Sequence, residues 1–270
     1  MNNEVMLQNW EDFEAEVSKL NSKLPKRKKK LKSYVSPALF RGHTKKCWKL
    51  ETSLERFSSK VYKLQEYFNL LRAIKPGVES LTSRLWNLPN KPNFTDSVPR
   101  PPPGYEFMIY LRHYGFPSPL LDWSSSPYIA AFFAFHSHQI DTNTHVAIFA
   151  YVEDYGYGKK GYSNEARIVS IGPYITTDSK HYKQQSQYTI CRKQSRNGFV
   201  YCSHEEVFAE NYPTQDILIK FLIPISERSR VLCKLDAMNI NPYSLFGDEN
   251  SLMATLAYRE IEKVDFLQGT

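Results

Sequence analysis

The chain has 270 residues, 41% hydrophobic and 14% aromatic, enough to bury a core in one domain or two small ones, which excludes a collagen-like or wholly disordered chain. Its longest apolar runs, such as Tyr128 to Phe135, fall short of the roughly 18 to 20 residues a bilayer demands. The acid-rich start lacks the apolar stretch of a signal peptide, so a cytoplasmic protein without membrane contact is expected. The formal charge of +7 resides in the first 50 residues, where 12 Lys and Arg meet 5 acids; 23 of each balance in the rest.

Val5, Leu7, Trp10, Phe13, Val17 and Leu20 recur at near-helical spacing and predict an amphipathic helix over residues 4–21, ended by Pro25. Lys26, Arg27, Lys28, Lys29, Lys30 and Lys32 follow in a stretch without acids. Such a block reads as a solvated linker, as a phosphate-seeking arm that concentrates nucleic acid without reading its sequence, or as the site of an acidic partner protein. Residues 1–35 are therefore read as a helix and basic arm, and residues 36–270 as the folded domain.

Ser36 to Arg41 predicts a strand that delivers Arg41, Gly42 and His43 to an edge or turn. Apolar residues from Leu54 to Leu71 repeat at three and four and predict one long helix, stopped by Pro76 and Gly77. The proline-rich residues 89–104 predict a loop and residues 105–114 a helix. Leu120 to Trp123 then reads as a strand, with Pro127 at the first turn of a helix. Short β-rich runs follow at 145–152, 188–191, 199–202 and 217–223, with a loop over 154–163 and helices over 226–235 and 251–262. The layout is α+β. Four cysteines without a CxxC spacing fit neither a disulfide framework nor a zinc knuckle. His136 and His138, two apart, are poor joint ligands, and no metal is expected.

Three clusters place polar groups at the ends of apolar runs, where a scaffold presents side chains to a ligand. In the first, Phe40-Arg41-Gly42-His43, a glycine after the arginine would let backbone approach a phosphate or ribose while the guanidinium forks onto it. An arginine paired to a structural carboxylate fits that pattern equally well. The second runs from Leu111 to Phe135, where Asp122 and Trp123 close a strand and Ser124 to Ser126 can cap the next helix; Asp122 could instead be only a cap or an arginine's partner. The third is His181 to Thr189, whose side-chain amides run into a strand. His43 and His113 read as packed or solvated residues, or as an acid or base near neutral pH.

Together these clusters resemble the FRG domain family, named for the Phe-Arg-Gly motif seen at Phe40, Arg41 and Gly42. His113-Tyr114-Gly115, Leu120 to Trp123 and Ala130 to Ala134 look like its central signature, and Gln184 to Ser186 with Thr189 like a later one. Asn239 to Asp248 is similar to its closing helix-turn, so the resemblance spans about residues 36–257. The order of the clusters is also similar, in position only, to that of ADP-ribosyltransferases. That likeness implies a split β-sheet core flanked by helices, with NAD as a substrate and no metal. It implies that Arg41 with Gly42 holds the adenosine side of NAD and that Asp122 and Trp123 meet the nicotinamide, with the indole of Trp123 stacked on the ring, while Phe40, His113, Tyr114 and Ser124 complete the NAD-binding set. The reacting set would be Arg41 and Asp122 with Gln185 or Gln187, a glutamine standing where that family has a glutamate; Glu205 and Glu206 are carboxylates that could compensate. The activity so implied is transfer of ADP-ribose to a macromolecule, with RNA favoured over protein, by a bacterial toxin or anti-phage effector that an antitoxin could mask. A catalytically weak nucleotide- or nucleic-acid-binding module and an NAD glycohydrolase are the alternatives.

Overall fold

The computed structural model describes residues 3–31, 35–94, 101–137, 144–153, 166–172, 179–209 and 216–268. The expected loop at 154–163, part of that at 89–104, Lys32 and His138 lie outside the described residues. Among the described residues eight strands make one open sheet: β1 (Asn3–Met6), β2 (Leu39–His43), β3 (Leu120–Ser124), β4 (His145–Val152), β5 (Arg167–Ser170), β6 (Ser186–Ser195), β7 (Gly198–Tyr201) and β8 (Ile217–Pro224). Their order is β1-β8-β4-β2-β3-β6-β5, with β7 also paired to β6. Among the described residues only β1 and β8 run parallel. The expected mixture of sheet and flanking helices is thus present.

The sheet is nearly two sheets. β2 pairs with β4 over five residues and β3 with β6 over five, yet β2 meets β3 only at Phe40 and Ser124. Beyond that pair the two strands splay, and their facing backbone groups need other partners.

β4 shows why its sequence, HVAIFAYV, reads so cleanly. Strand side chains alternate between faces, and here Val146, Ile148 and Ala150 enter one core while Ala147, Phe149 and Tyr151 enter another. The first core is covered by α1 (Trp10–Leu31), which contributes Trp10, Phe13, Val17, Leu20 and Leu24. That helix is a wall of the main core, and its apolar stripe packs beside Phe40 and Phe221.

Several expectations about the helices are corrected here, the first being that the helix expected over 4–21 begins only at Trp10, because Asn3–Met6 pairs with β8 as β1. α1 does not stop at Pro25 but continues to Leu31. Pro25 lies on the exposed side while Leu24 stays buried, so packing holds the turn that the missing N–H weakens. The basic block is consequently helical, and its lysines in the last turn complement the negative end of the helix dipole. The single long helix expected over 54–71 is two, α2 (Ser53–Phe57) and α3 (Leu64–Thr82). A capping box of Thr52 and Glu55 opens α2, and Ser58 is extended and ends it. α3 then runs through Pro76 and Gly77, supported by an ion pair of Lys75 with Glu79 (2.9 Å), whose carboxylate also accepts from the Trp86 amide (2.7 Å).

α3 and α4 (Tyr105–His113) share a second core with β6, built on Tyr67, Phe68, Phe107 and Tyr188. α5 (Pro127–Phe135) follows β3 as expected, with Pro127 in its first turn and Ser126 as cap. It lies against β2, where Gly42 admits it: a Cβ there would stand 1.9 Å from the Ala130 carbonyl oxygen. The remaining helices are α6 (Ser179–Lys183), α7 (His204–Ala209), α8 (Arg228–Ala237), α9 (Pro242–Phe246), α10 (Glu249–Ala257) and, after a wide turn over Tyr258–Glu262, α11 (Lys263–Gln268). No helix among the described residues is long and apolar enough to cross a membrane.

Candidate functional site

A cleft of about 760 Å³ opens where β2 and β3 part, within the range of small-molecule and cofactor sites. Arg41 lines the opening. Its Nη1 donates to the Asp122 carbonyl oxygen (2.7 Å), a β3 acceptor, and its Nε donates to His43 Nε2 (3.0 Å). Burial, opposed by Asp122, lowers the Arg41 pKa to about 10, so the guanidinium remains charged at neutral pH. His43 must then be the neutral acceptor. Burial above all, with Arg41 beside it, holds its pKa down to about 3, which removes it as an acid or base near neutral pH.

That depression has a measurable consequence. A group whose folded pKa lies below its ordinary 6.5 contributes stability that is complete above that pH and lost as the pH falls toward 3. Between pH 6.5 and 5 the loss is expected to approach about 2 kcal/mol, and a His43→Gln chain should show a flatter decline in its urea midpoint. Equal slopes for the two chains would refute this role.

Asp122 lies on the same side of β3 as Ser124, and its register partner Tyr188 shares that side on β6. Its carboxylate is clamped by Arg112 of α4, which donates Nε to one oxygen (2.5 Å) and Nη2 to the other (2.6 Å), a two-pronged pairing that fixes both planes. Arg112 Nη1 reaches Ser53 Oγ, so the clamp also ties α4 to α2. Burial pushes the Asp122 carboxyl up, but the charge and hydrogen bonds of Arg112, with Arg41 behind, bring it below the ordinary value of 3.8. The Asp122 side chain is still 41% exposed to the cleft. The alternative in which Asp122 partners an arginine is therefore the arrangement present, and that partner is Arg112, which the sequence did not single out.

Arg41, Arg112, Arg56, Lys49 and Lys180 line the cleft against two acids, Glu51 and Asp122. The balance favours an anionic ligand, and fork-shaped guanidinium groups suit phosphate. His113 also lines it, with Nε2 2.9 Å from the Tyr188 hydroxyl, while buried His181 approaches the same hydroxyl through Nδ1 (3.3 Å). Phe40 and Gly42 form the wall beside α5. Gly42 serves the helix: its missing side chain is the space taken by the backbone of Ala130 and Ala134, so packing by itself requires a glycine there. Ser124 Oγ donates to the Gln184 carbonyl (2.8 Å) and accepts from the Ser126 amide (3.0 Å), which shapes the turn into α5.

Trp123 borders the cleft, while the other expected site residues are placed elsewhere. The indole of Trp123 is 3% exposed, donates to Thr189 Oγ1 (2.8 Å) and packs on Tyr151, so it is held in the core and is not available to stack on a ligand. Tyr114 is exposed, packs on Tyr110 and does not line the cleft. Gln185 sits in the turn before β6 with φ of 48°, its carbonyl accepting from Ser125; Gln187 is paired opposite Trp123, on the face away from Asp122. Neither lines the cleft, whereas Gln184, Ser186 and Tyr188 do. Glu205 accepts from the Leu50 amide (2.8 Å) and Glu206 pairs with Lys193 (2.7 Å), so both have structural duties outside it. Lys26, Lys28, Lys29 and Lys30 are exposed on α1; the side chain of Arg27 lies outside the described residues, as does Lys32. Among the described residues no three His, Cys, Asp or Glu side chains converge as a metal site requires.

Fold and site define a mixed α/β protein with a cationic cleft at the splay of an open sheet. Residues 36–143 match the family model of the FRG domain. The match takes in Arg41, Arg112 and Asp122, and ends before Tyr188 and α9, which complete the cleft. No curated protein and no solved structure matches the chain.

Proposed function

We propose that the chain binds NAD in the cleft and breaks its nicotinamide–ribose bond, passing ADP-ribose to a macromolecule, with RNA the favoured acceptor. The reading is supported above all by a nucleotide-sized space faced by five basic side chains and two acids. Arg41 would take a phosphate oxygen with a guanidinium already aligned by His43 and the Asp122 backbone, so little ordering is left to binding. Departure of nicotinamide leaves positive charge at the ribose carbon, and the exposed oxygens of Asp122, beside Tyr188, are the negative charge available to offset it. The acceptor loses a proton as it bonds to that carbon. Lys26, Lys28, Lys29 and Lys30 on α1 would raise the local concentration of nucleic acid. Such an enzyme suits a bacterial toxin or anti-phage effector kept in check by a masking antitoxin.

A second reading, a nucleotide-binding module with little turnover, is favoured by Gln185 and Gln187 lying outside the cleft and by the clamp of Arg112 on Asp122. Labelled NAD incubated with the chain and RNA, DNA or lysate protein separates the outcomes. Nicotinamide release with label on RNA is the expected result; release without transfer marks hydrolysis, and binding without release marks the module. Arg41→Ala is expected to weaken NAD binding at least tenfold, the effect of one charged hydrogen bond. If NAD does not bind the unaltered chain, the whole reading fails. Changing Lys26, Lys28, Lys29 and Lys30 to Gln should reduce the salt dependence of RNA binding, and an unchanged slope would clear α1 of that role.

A further inference from the structure

Trp48 leaves half of its ring outside the core, as do Phe57, Tyr114, Tyr182 and Tyr243, but among these described residues it alone lines the cleft. Of the four tryptophans, Trp10 and Trp123 are buried and Trp86 is half-buried, whereas Trp48 is 49% exposed and lines the cleft. An indole held half exposed in a cleft, with one side apolar and the other wet, is placed to meet a ligand's ring. Its loop is pinned. The Trp48 amide donates to the Lys45 carbonyl, and two residues on Leu50 is fully buried with its amide held by Glu205 (2.8 Å). His43 meets the indole edge-on with ring centres 6.1 Å apart, so Arg41, His43 and Trp48 form a continuous row from guanidinium through imidazole to indole.

We propose that Trp48 is the stacking platform for the adenine ring of the nucleotide, an inference that rests on the nucleotide reading of the cleft. Charge decides which ring it takes. Lys45 Nζ lies 6.0 Å from the indole centre, and Lys49 and Arg56 line the same cleft. A positively charged nicotinamide ring would meet like charge there. A neutral purine would not, and its attached phosphates would be drawn to the row that ends at Arg41. Adenine therefore sits at Trp48, and the nicotinamide ribose points toward Asp122 and Tyr188.

Calorimetric titration of the full chain with ADP, ADP-ribose and nicotinamide mononucleotide tests this. Stacking of one base is expected to make Trp48→Ala bind ADP and ADP-ribose about 5- to 150-fold more weakly. Trp48→Phe should restore most of that affinity, and nicotinamide mononucleotide should bind all three chains alike. Because Trp48 is half exposed, both variants should melt like the unaltered chain. If ADP binds Trp48→Ala as well as the unaltered chain, or if nicotinamide mononucleotide is the ligand that weakens, the platform assignment is overturned while the cleft remains a nucleotide site. If none of the three binds the unaltered chain, the nucleotide reading falls and this inference falls with it.

Discussion

A Gly42→Ala chain is expected to be destabilised by about 3 kcal/mol or more, the upper end of what overpacking a core does. The added Cβ would stand 1.9 Å from the Ala130 carbonyl oxygen and 2.7 Å from the Ala134 amide nitrogen. Both are backbone atoms of α5, which cannot rotate away as a side chain could, and Ala130, Ala131 and Ala134 are themselves buried. The helix must move off β2 as a body, opening the core that Phe40, Phe132 and Phe135 fill. With total stabilities of about 5 to 15 kcal/mol, that is a large share. Urea unfolding at neutral pH measures it, and a midpoint unchanged from the parent chain would show that α5 does not rest on Gly42. Ala130 and Phe133 also line the cleft, so ligand affinity should fall with stability.

The FRG motif is thus legible in the sequence, but its physical meaning is divided between two tasks. Arg41 lines the cleft, while Gly42, which also borders it, admits a helix. The strand–turn–helix from Leu120 to Phe135 is readable because its signals are local: an apolar run, serines able to cap, and a proline where a first turn tolerates one. Pro25 and Pro76 mislead for the same reason, since a local breaker loses to the burial of Leu24 in one helix and to Glu79 bridging Lys75 and Trp86 in the other. Strand alternation carries information about the site that motif reading passes over. In Leu-Leu-Asp-Trp-Ser, Asp122 and Trp123 must face opposite ways, so although both border the cleft the exposed carboxylate and the buried indole lie on different faces of β3. Antiparallel register then takes Ser186 and Tyr188 with Asp122, and leaves Gln187 with Trp123. Arg112 is not deducible in this way, because its pairing with Asp122 joins a helix end to a strand across the Gly115 turn, and no periodicity relates the two.

The second large effect is expected at the centre of that pairing. Asp122→Asn keeps the shape but leaves the guanidinium groups of Arg41 and Arg112, 17% and 12% exposed, without the charge they share. Removing one partner from a buried pair destabilises by about 3 to 5 kcal/mol; the 41% exposure of Asp122 lets water screen part of this, and about 1 to 3 kcal/mol is expected. The pH dependence has a definite sign. Because the folded Asp122 carboxyl lies below 3.8, its contribution is complete above that pH and disappears as the pH falls through the folded value, so the Asn chain should lose less stability in acid than its parent. Combining Asp122→Asn with Arg112→Gln should destabilise less than the two single changes added together, and simple additivity would deny the clamp. Ligand binding separates electrostatics from collapse. With one negative charge gone from the cleft, ADP-ribose should bind Asp122→Asn at least as tightly as the parent, while nicotinamide release from NAD falls. A chain that loses both affinity and turnover in proportion to its melting temperature would instead reduce Asp122 to a brace for α4 and β3.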